Sequence, residues 1–529
     1  MIRFNCAIQF LARLFTAFLT VPYLTACLPN DGAGIAQPDY QGELERALET
    51  FQATGLTAAV LVEGDVVFQG SVGTAEEGRD RKITDDMLLP IGSISKAFTT
   101  TALAILVDRS AVEWDAPLKR YIPEFEMYDP WVTEHFTVRD ALTHRSGLPL
   151  GAGDLLFWPD AKSSISDIIA ALPSLPQSTD FRSTYAYDNL LYVVAGEVIT
   201  RVSGKSWHDF LTDEIFNPLG MDDCYTSIAR VPADRVVITG HERAPQDAVG
   251  TPIDERTQLS ETVAAAGGIL CPIGDMLTWA KFWLAGGVTQ NGKRLITEHQ
   301  ADELWTGVTP LNRSKMSRDS GLSHVAAYAL GWSVQDFDGT LMIAHSGGIS
   351  GVISHLLLLP EKNIAIFAVS NDYRRTSLAW ARQIADDLLG TRSFDFIAAY
   401  GQMLNDSIEN ATTALAQVVK PESGNKQPGL PLTEYAGVYR DPWYGDVTVS
   451  EKNGALFLDM SRSELLDGTL MHYNGNRFAA IWPDRSLKAD AFVDFDISAN
   501  KVVGIKMKAI SEITDFSYDF HHLDLRRVR

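Results

Sequence analysis

Basic side chains are in short supply. Lysine and arginine together number 45 against 67 aspartates and glutamates, a formal charge of −22 over 529 residues. That balance excludes nucleic acid as a partner, because a phosphate backbone needs a basic face and none is visible. Cysteine is scarcer still, at four. Cys6, Cys27, Cys224 and Cys271 have no zinc-site spacing, which argues against a structural metal, and neither metal nor cofactor is expected. The apolar run from Leu14 to Ala26 falls short of the ~20 residues that a membrane-crossing helix needs. Internal repeats are missing, which excludes a solenoid. What is present is a chain 46% hydrophobic and 21% charged, the composition of a packed globular protein too long for one core.

The N-terminus reads as an export signal, with Arg3 and Arg13 flanking the start of the apolar run. Leu24-Thr25-Ala26-Cys27 resembles the lipobox of bacterial lipoproteins, which makes 1–26 a lipoprotein-type signal peptide and Cys27 the lipidated first residue. The alternative is an ordinary signal peptide with a coincidental cysteine. The expected location is periplasmic or cell-envelope, with membrane contact only through that lipid anchor. In an oxidising compartment Cys224 and Cys271 can pair, but the reading adopted is two buried free thiols.

Residues 27–39 form a spacer, and Gly42 to Gln52 reads as an amphipathic helix. Leu56–Val62 and Val66–Val72 are β-rich runs split by Glu63-Gly64-Asp65, a hairpin signal. From Trp114 to Trp283 the pattern is mostly helical. The β signal returns in Leu330–Phe337, Leu341–His345, Val352–Leu359 and Ile364–Val369, followed by a helix from Ser377 to Leu389. Strands at both ends with helices between predict one antiparallel sheet with flanking helices, an α/β (α+β) arrangement, plus an all-helical lobe over 40–390. A helix and a Pro/Gly-bearing linker occupy 391–431. Short alternating runs from 432 to 529 predict a separate small all-β barrel, in which six strands are legible.

One stretch organises the whole. Gly92-Ser93-Ile94-Ser95-Lys96 opens an apolar-periodic helix, and Ser93 and Lys96, three apart, share one face of it. A serine becomes nucleophilic when a base takes its proton, and a lysine serves only once it has lost its own. Two further pieces follow in order: Tyr185-Ala186-Tyr187-Asp188-Asn189 ahead of an apolar helix, and His345-Ser346-Gly347-Gly348 at a strand end. Between them lie Thr143-His144-Arg145-Ser146-Gly147-Leu148, Phe216-Asn217-Pro218-Leu219-Gly220-Met221, Ala266-Gly267-Gly268 and Leu330-Gly331-Trp332. The ordered set resembles the serine β-lactamase-related hydrolases, in particular the class C β-lactamase and D,D-peptidase branch, over about Gly42 to Gly390. The tail, with Tyr435-Ala436-Gly437-Val438-Tyr439 and Tyr444-Gly445-Asp446, is similar to the lipocalin-like domain appended to many of them.

The resemblance implies a β-lactamase/transpeptidase-like fold and assigns roles. Ser93 is the acylated nucleophile, Lys96 its base and Tyr187 the residue that shares the proton. Backbone N–H groups of Ser93 and Gly348 form the oxyanion hole. Asn189, His345, Gly347 and Tyr185 contact substrate, His345 standing where β-lactamases carry the lysine of Lys-Thr-Gly. The physics agrees with the base assignment only if the amine falls from its ordinary pKa of about 10.4 towards ~7–8. His144 is read as a brace for the helical lobe, Asp188 as a helix cap, and the His521-His522 pair as surface. The expected activity is hydrolysis of amide or peptide bonds in small peptides, including ones with D- or modified residues, since the family spans D-aminopeptidases, D,D-peptidases and a peptidase for linearised cyanobacterial toxins. A carboxylesterase of the same family is the close alternative. A non-catalytic peptidoglycan- or peptide-binding envelope protein is the alternative of another class. Oligomeric state is not legible.

Overall fold

Strands from the two ends of the 40–390 stretch meet side by side. In the computed structural model, which describes residues 37–243, 249–253, 260–391, 393–418, 427–512 and 514–528, β1 (Gly55–Val62) pairs antiparallel with both its hairpin partner β2 (Asp65–Gly73) and the distant β8 (Ile364–Ser370). The sheet continues through β7 (Val352–Leu359), β6 (Thr340–Ile349), β5 (Ser333–Phe337), β4 (Ala326–Tyr328) and β3 (Thr309–Pro310), giving the eight-stranded order β2-β1-β8-β7-β6-β5-β4-β3. The expected hairpin at Glu63-Gly64 has positive φ at both residues (53° and 88°), the mirror-image turn that matches strand twist. The signal-peptide and lipidation expectations, residues 1–26 and Cys27, lie outside the described residues, as does much of the expected linker.

Period-2 alternation divides the sheet between two apolar layers. In β8, Ile364, Ile366 and Ala368 face α1 (Tyr40–Phe51), α5 (Thr376–Leu389) and α6 (Phe396–Val418), while Ala365, Phe367 and Val369 face the layer that holds α2 (Ser95–Asp108) and α4 (Ile273–Leu284). From Ile364 to Val369 this strand is apolar at every position because both faces are covered. Beyond α2 lies the helical lobe, whose longest member, α3 (Leu190–Ser203), is buried along most of its length.

The C-terminal strands close into an antiparallel barrel: β9 (Gly437–Asp441), β10 (Gly445–Lys452), β11 (Ala455–Met460), β12 (Gly468–Asn474), β13 (Arg477–Ile481), β14 (Ala491–Ser498), β15 (Lys501–Ala509) and β16 (Leu525–Arg527). Two of these, β12 and β16, escape the sequence reading. β12 carries a register irregularity and β16 is a three-residue strand with two arginines, so neither shows a clean alternation. Together they close the cylinder, β16 pairing with β9. Its interior is filled by Tyr435, Phe478 and Phe495, edge to face at 4.9–5.5 Å.

One expectation is overturned. Cys224 and Cys271 form a disulfide rather than standing as free thiols. Leu270 exchanges both backbone hydrogen bonds with Tyr225 (2.8 and 2.9 Å), which sets the neighbouring cysteines opposite each other. Closing a loop of sequence separation 47 is worth about 4 kcal/mol on chain entropy. The double variant Cys224→Ser/Cys271→Ser is therefore expected to lose ~2–4 kcal/mol in a denaturant titration, and unchanged stability would show that the bridge carries no load.

Candidate active site

A 3₁₀ turn, Gly92–Ile94, leads into α2, so Ser93 sits one turn outside the α-helix and Lys96 in its first turn. Gly92 adopts φ +51°, a left-handed conformation that glycine takes without strain. The Lys96 side chain has no solvent exposure. Its Nζ lies 3.1 Å from Ser93 Oγ, 2.8 Å from Asn189 Oδ1 and 2.8 Å from the Ala266 carbonyl, and 4.8 Å from the centre of the Tyr187 ring. The Tyr187 phenol in turn hydrogen-bonds the Ser93 side chain. The three groups singled out in the sequence converge.

Each partner has its own support. The Ala264–Gly267 turn that presents the Ala266 carbonyl is tied to α2 by Thr99, whose hydroxyl donates to Ala265 O at 2.7 Å, and by Ser95, which accepts from Ile269 N–H at 3.1 Å. Asn189 stands at the head of α3, and its Nδ2 donates to the buried Asp154 at 3.0 Å. Asp188 caps the same helix, accepting from the Leu191 N–H at 3.4 Å, as expected.

Burial sets the protonation states. It lowers the Lys96 amine to about 7, against the opposing pull of Asp154 and Asp188. It pushes the Tyr187 phenol well above its ordinary 10, outweighing the Ser93 hydrogen bond. At neutral pH the phenol therefore keeps its proton while a sizeable fraction of the amine has lost its own.

Backbone contact aligns β6 with the Ser93 turn. A Cβ on Gly347 would stand 1.9 Å from the Ile91 carbonyl oxygen, and one on Gly92 would stand 2.8 Å from Gly348 N. Ser354 Oγ, on β7, donates to the same Ile91 carbonyl at 2.8 Å. Ser93 and Gly348 thus line one cavity of about 570 Å³, together with Tyr185, Tyr187, Asn189 and Ser346.

Two residues expected to contact substrate, His345 and Gly347, are not among those that line this cavity. Strand alternation sends Ser346 and Gly348 to the cavity and turns His345 and Gly347 inward, and neither of the latter lines it. His345 Nδ1–H donates to the Ser346 carbonyl at 2.7 Å and Nε2 accepts from the Tyr328 hydroxyl at 2.9 Å. Burial holds this imidazole at about 3, with Lys96 pushing the same way, so it is neutral and fully engaged. Gly347 is the residue that permits the close approach to Ile91. Ser346, not singled out in the sequence, takes the wall position and meets the buried His355 Nδ1 at 2.8 Å. His144 lies behind Tyr187 at 4.2 Å between ring centres, its Nδ1 accepting from Asp188 N–H at 3.1 Å, the bracing place expected of it.

Sequence reasoning missed part of the wall altogether. Phe157 and Trp158 line the cavity from the helical lobe and Arg375 from the start of α5, while Asp515, Phe516 and Ser517 reach it from the barrel, between β15 and β16. No local pattern marks them, because each belongs to a loop and gains its meaning from a long-range contact. His522, expected at the surface, is instead held to Asp519 at 3.0 Å. Among the described residues no cluster of three or more His, Cys, Asp or Glu is placed to hold a metal ion.

Comparison with known proteins bears on the family and the fold. The family described as Beta-lactamase matches residues 44–389, and a domain of unknown function, DUF3471, matches 421–527. The unguisins hydrolase of Aspergillus campestris is 26% identical over 82% of this chain and 82% of its own length. The D-alanyl-D-alanine-carboxypeptidase/endopeptidase AmpH of Escherichia coli K12 is 25% identical over 67% of this chain and 90% of its own. In fold, the octameric penicillin-binding protein homologue from Pyrococcus abyssi superposes with a TM-score of 0.57 at 18% identity, covering 92% of this chain and 99% of that one.

The Gly347 contact yields a direct test. Gly347→Ala forces β6 away from the Ser93 turn and should slow reaction of Ser93 with an activated ester by ~10²-fold or more, with the circular dichroism spectrum retained. Wild-type reactivity would show that this contact does not align the site.

Proposed function

This chain belongs to the β-lactamase family and is a serine hydrolase, and from that premise we propose that it cleaves amide bonds of small peptides through an acyl-enzyme on Ser93. The observation that carries the reading is the surroundings of Lys96 Nζ. A neutral amine has two N–H donors and one lone pair. Asn189 Oδ1 and the Ala266 carbonyl can only accept, so they take the two donors. The lone pair is left facing the one neighbour that can donate, the Ser93 hydroxyl.

The steps follow from that arrangement. Lys96 takes the Ser93 proton as Oγ attacks the substrate carbonyl, and the developing oxyanion is held by the Ser93 and Gly348 N–H groups. Tyr187, protonated at rest, hands its proton to the leaving nitrogen and is refilled from the Lys96 ammonium. Water then attacks the acyl-enzyme, giving up its proton along the same path in reverse and releasing the acid. Asn189, Tyr185 and Ser346 orient the substrate.

Peptides are favoured over simple esters by the wall. Arg375 and Asp515 are the one basic and one acidic side chain among the described residues that line it, a pairing suited to a short chain with charged ends. AmpH carries the carboxypeptidase and endopeptidase names that point towards D-residues, and the unguisins hydrolase is named for hydrolysis of another compound. A family carboxylesterase would use the same machinery. With His345 neutral, Arg375 is the one basic side chain among the described residues that line the cavity, a weaker grip on a β-lactam carboxylate that disfavours an antibiotic-resistance role.

Export as a lipoprotein through Cys27 completes the proposal. The Cys224–Cys271 disulfide supports an oxidising compartment, and among the described residues no helix is long and apolar enough to cross a membrane. Cys27→Ser should release the protein from the membrane fraction, and unchanged association would count against lipidation.

A fluorophosphonate probe should add to Ser93 by mass spectrometry, and Ser93→Ala should lose the adduct. Lys96→Ala should cut turnover of peptide and ester substrates at least ~10³-fold, as the loss of a base to an activated nucleophile does. Because the neutral amine is the working form and its pKa is lowered, activity should rise with pH through about 7. No adduct and no turnover would support a binding protein, and ester turnover without peptide turnover would support the esterase.

A further inference from the structure

The barrel segment that enters the cavity does more than line it. We propose that Ser517 and Asp519 of the barrel, acting through Asp154 and Asn189, are positioning residues that hold the Lys96 amine against Ser93. The proposal rests on the assignment of Lys96 as base. The chain of contacts is continuous. Ser517 Oγ donates to Asp154 Oδ2 at 2.8 Å, Asn189 Nδ2 donates to the same oxygen at 3.0 Å, Asn189 Oδ1 accepts from Lys96 Nζ at 2.8 Å, and Nζ meets Ser93 Oγ at 3.1 Å. One carboxylate oxygen therefore serves a donor from each domain.

Asp519 grips the same turn from beneath. Its two oxygens accept from Gly153 N–H at 2.8 Å and Leu155 N–H at 3.1 Å, the backbone amides either side of Asp154. Both aspartates are fully buried, and His522 pins Asp519 at 3.0 Å. Phe516 fixes the approach: a Cβ on Gly151, which has φ +67°, would stand 2.7 Å from the Phe516 ring, and Phe516 meets Tyr187 edge to face at 6.1 Å. Without the barrel, Asp154 would lose one of its two hydrogen-bonded side chains and the backbone clamp that aims it. Asn189 would then have no fixed partner to orient its amide, and its oxygen would no longer be held on Nζ.

The groups facing Lys96 decide the sign of the expected pH effect. Asp154 and Asp188 favour its cation, His144 and His345 oppose it but are kept neutral by burial, and Tyr187 and Tyr192 present uncharged rings. Burial holds the Asp154 carboxyl well above the ordinary range, Asp519 and Asp188 push the same way, and the Asn189 and Ser517 hydrogen bonds oppose them. Loosening Asn189 removes an acceptor from the ammonium and disfavours the charged amine. The acidic limb of the pH–rate profile should therefore move down while the rate per site falls.

The test compares Ser517→Ala, Asp154→Ala and Asp154→Asn in the full chain, with active sites counted by fluorophosphonate and Lys96→Ala run alongside. Ser517→Ala should lose severalfold in kcat per titrated site with KM little changed. Asp154→Ala should lose ~10–100-fold and shift the acidic limb down by ~1 pH unit, the worth of one charged hydrogen bond. Asp154→Asn keeps an acceptor for both donors and should recover most of the loss in kcat. If Ser517→Ala and Asp154→Ala instead keep wild-type kcat and pH limb per titrated site, or Asp154→Asn is no better than Asp154→Ala, the positioning role is overturned. Inactivity of Lys96→Ala beside normal Ser517 and Asp154 variants would reject this inference alone, whereas an active Lys96→Ala would reject the base assignment beneath it.

Discussion

An amine with no access to water is the constraint on which the site depends. Burial is what brings Lys96 to about 7, because a charged ammonium there forgoes hydration that two dipoles and a hydroxyl only partly replace. The same burial makes the geometry of its neighbours decisive. Two pure acceptors leave the lone pair a single destination, so direction as well as protonation state is set by what the fold places within 3.1 Å. Neither acceptor belongs to α2. One comes from the Ala264–Gly267 turn and the other from the head of α3, so the helical lobe must close on α2 before the amine is aimed.

The second constraint is backbone proximity. Gly347 and Gly92 are at positions where a Cβ would collide with the opposing chain, at 1.9 Å and 2.8 Å from backbone atoms. Sheet register decides which residue of β6 meets Ser93: Gly348 pairs with Ile353 and Gly347 with Ser354, whose hydroxyl clamps the Ile91 carbonyl from β7. A slip of one residue would turn Ser346 and Gly348 away from the cavity and bury them. The β7–β8 pairing, apolar on both faces and shared between two layers, is what makes such a slip costly. Core packing and amide placement are thus one property of this sheet.

Much of this was legible in the sequence because it is periodic or motif-bound. The sheet, its Glu63-Gly64 hairpin, α2, α5 and the convergence of Ser93, Lys96, Tyr187 and Asn189 follow from residues whose neighbours along the chain announce them. What the sequence leaves hidden has physical causes. The resemblance places His345 at the substrate, but strand alternation is counted from the cavity, and only the fold says which parity faces it. The Cys224–Cys271 bridge depends on a two-residue bridge between distant loops, Tyr225 with Leu270, which leaves no pattern. β12 and β16 were missed because their stability comes from barrel closure rather than from their own alternation. Asp154 gave no signal either, since an acidic residue in a loop is ordinarily solvated, and only its burial marks it.

The barrel raises the question of why a filled cylinder is appended to a site that already holds its reactive groups. Its interior is packed with aromatic rings, as in the small barrels that side chains fill. What it presents instead is the segment between β15 and β16, where three successive residues reach the cavity and Asp519 clamps the Gly153–Leu155 backbone. A loop is a poor platform for such placement unless both its ends are anchored, and two strands of a closed barrel anchor them well. The turn that carries Asp154 is a single 3₁₀ turn, Asp154–Leu156, too short to hold itself. A rigid body pressed against it supplies the order that its local sequence lacks, and the polar chain from Ser517 to Lys96 is the route by which that order reaches the amine.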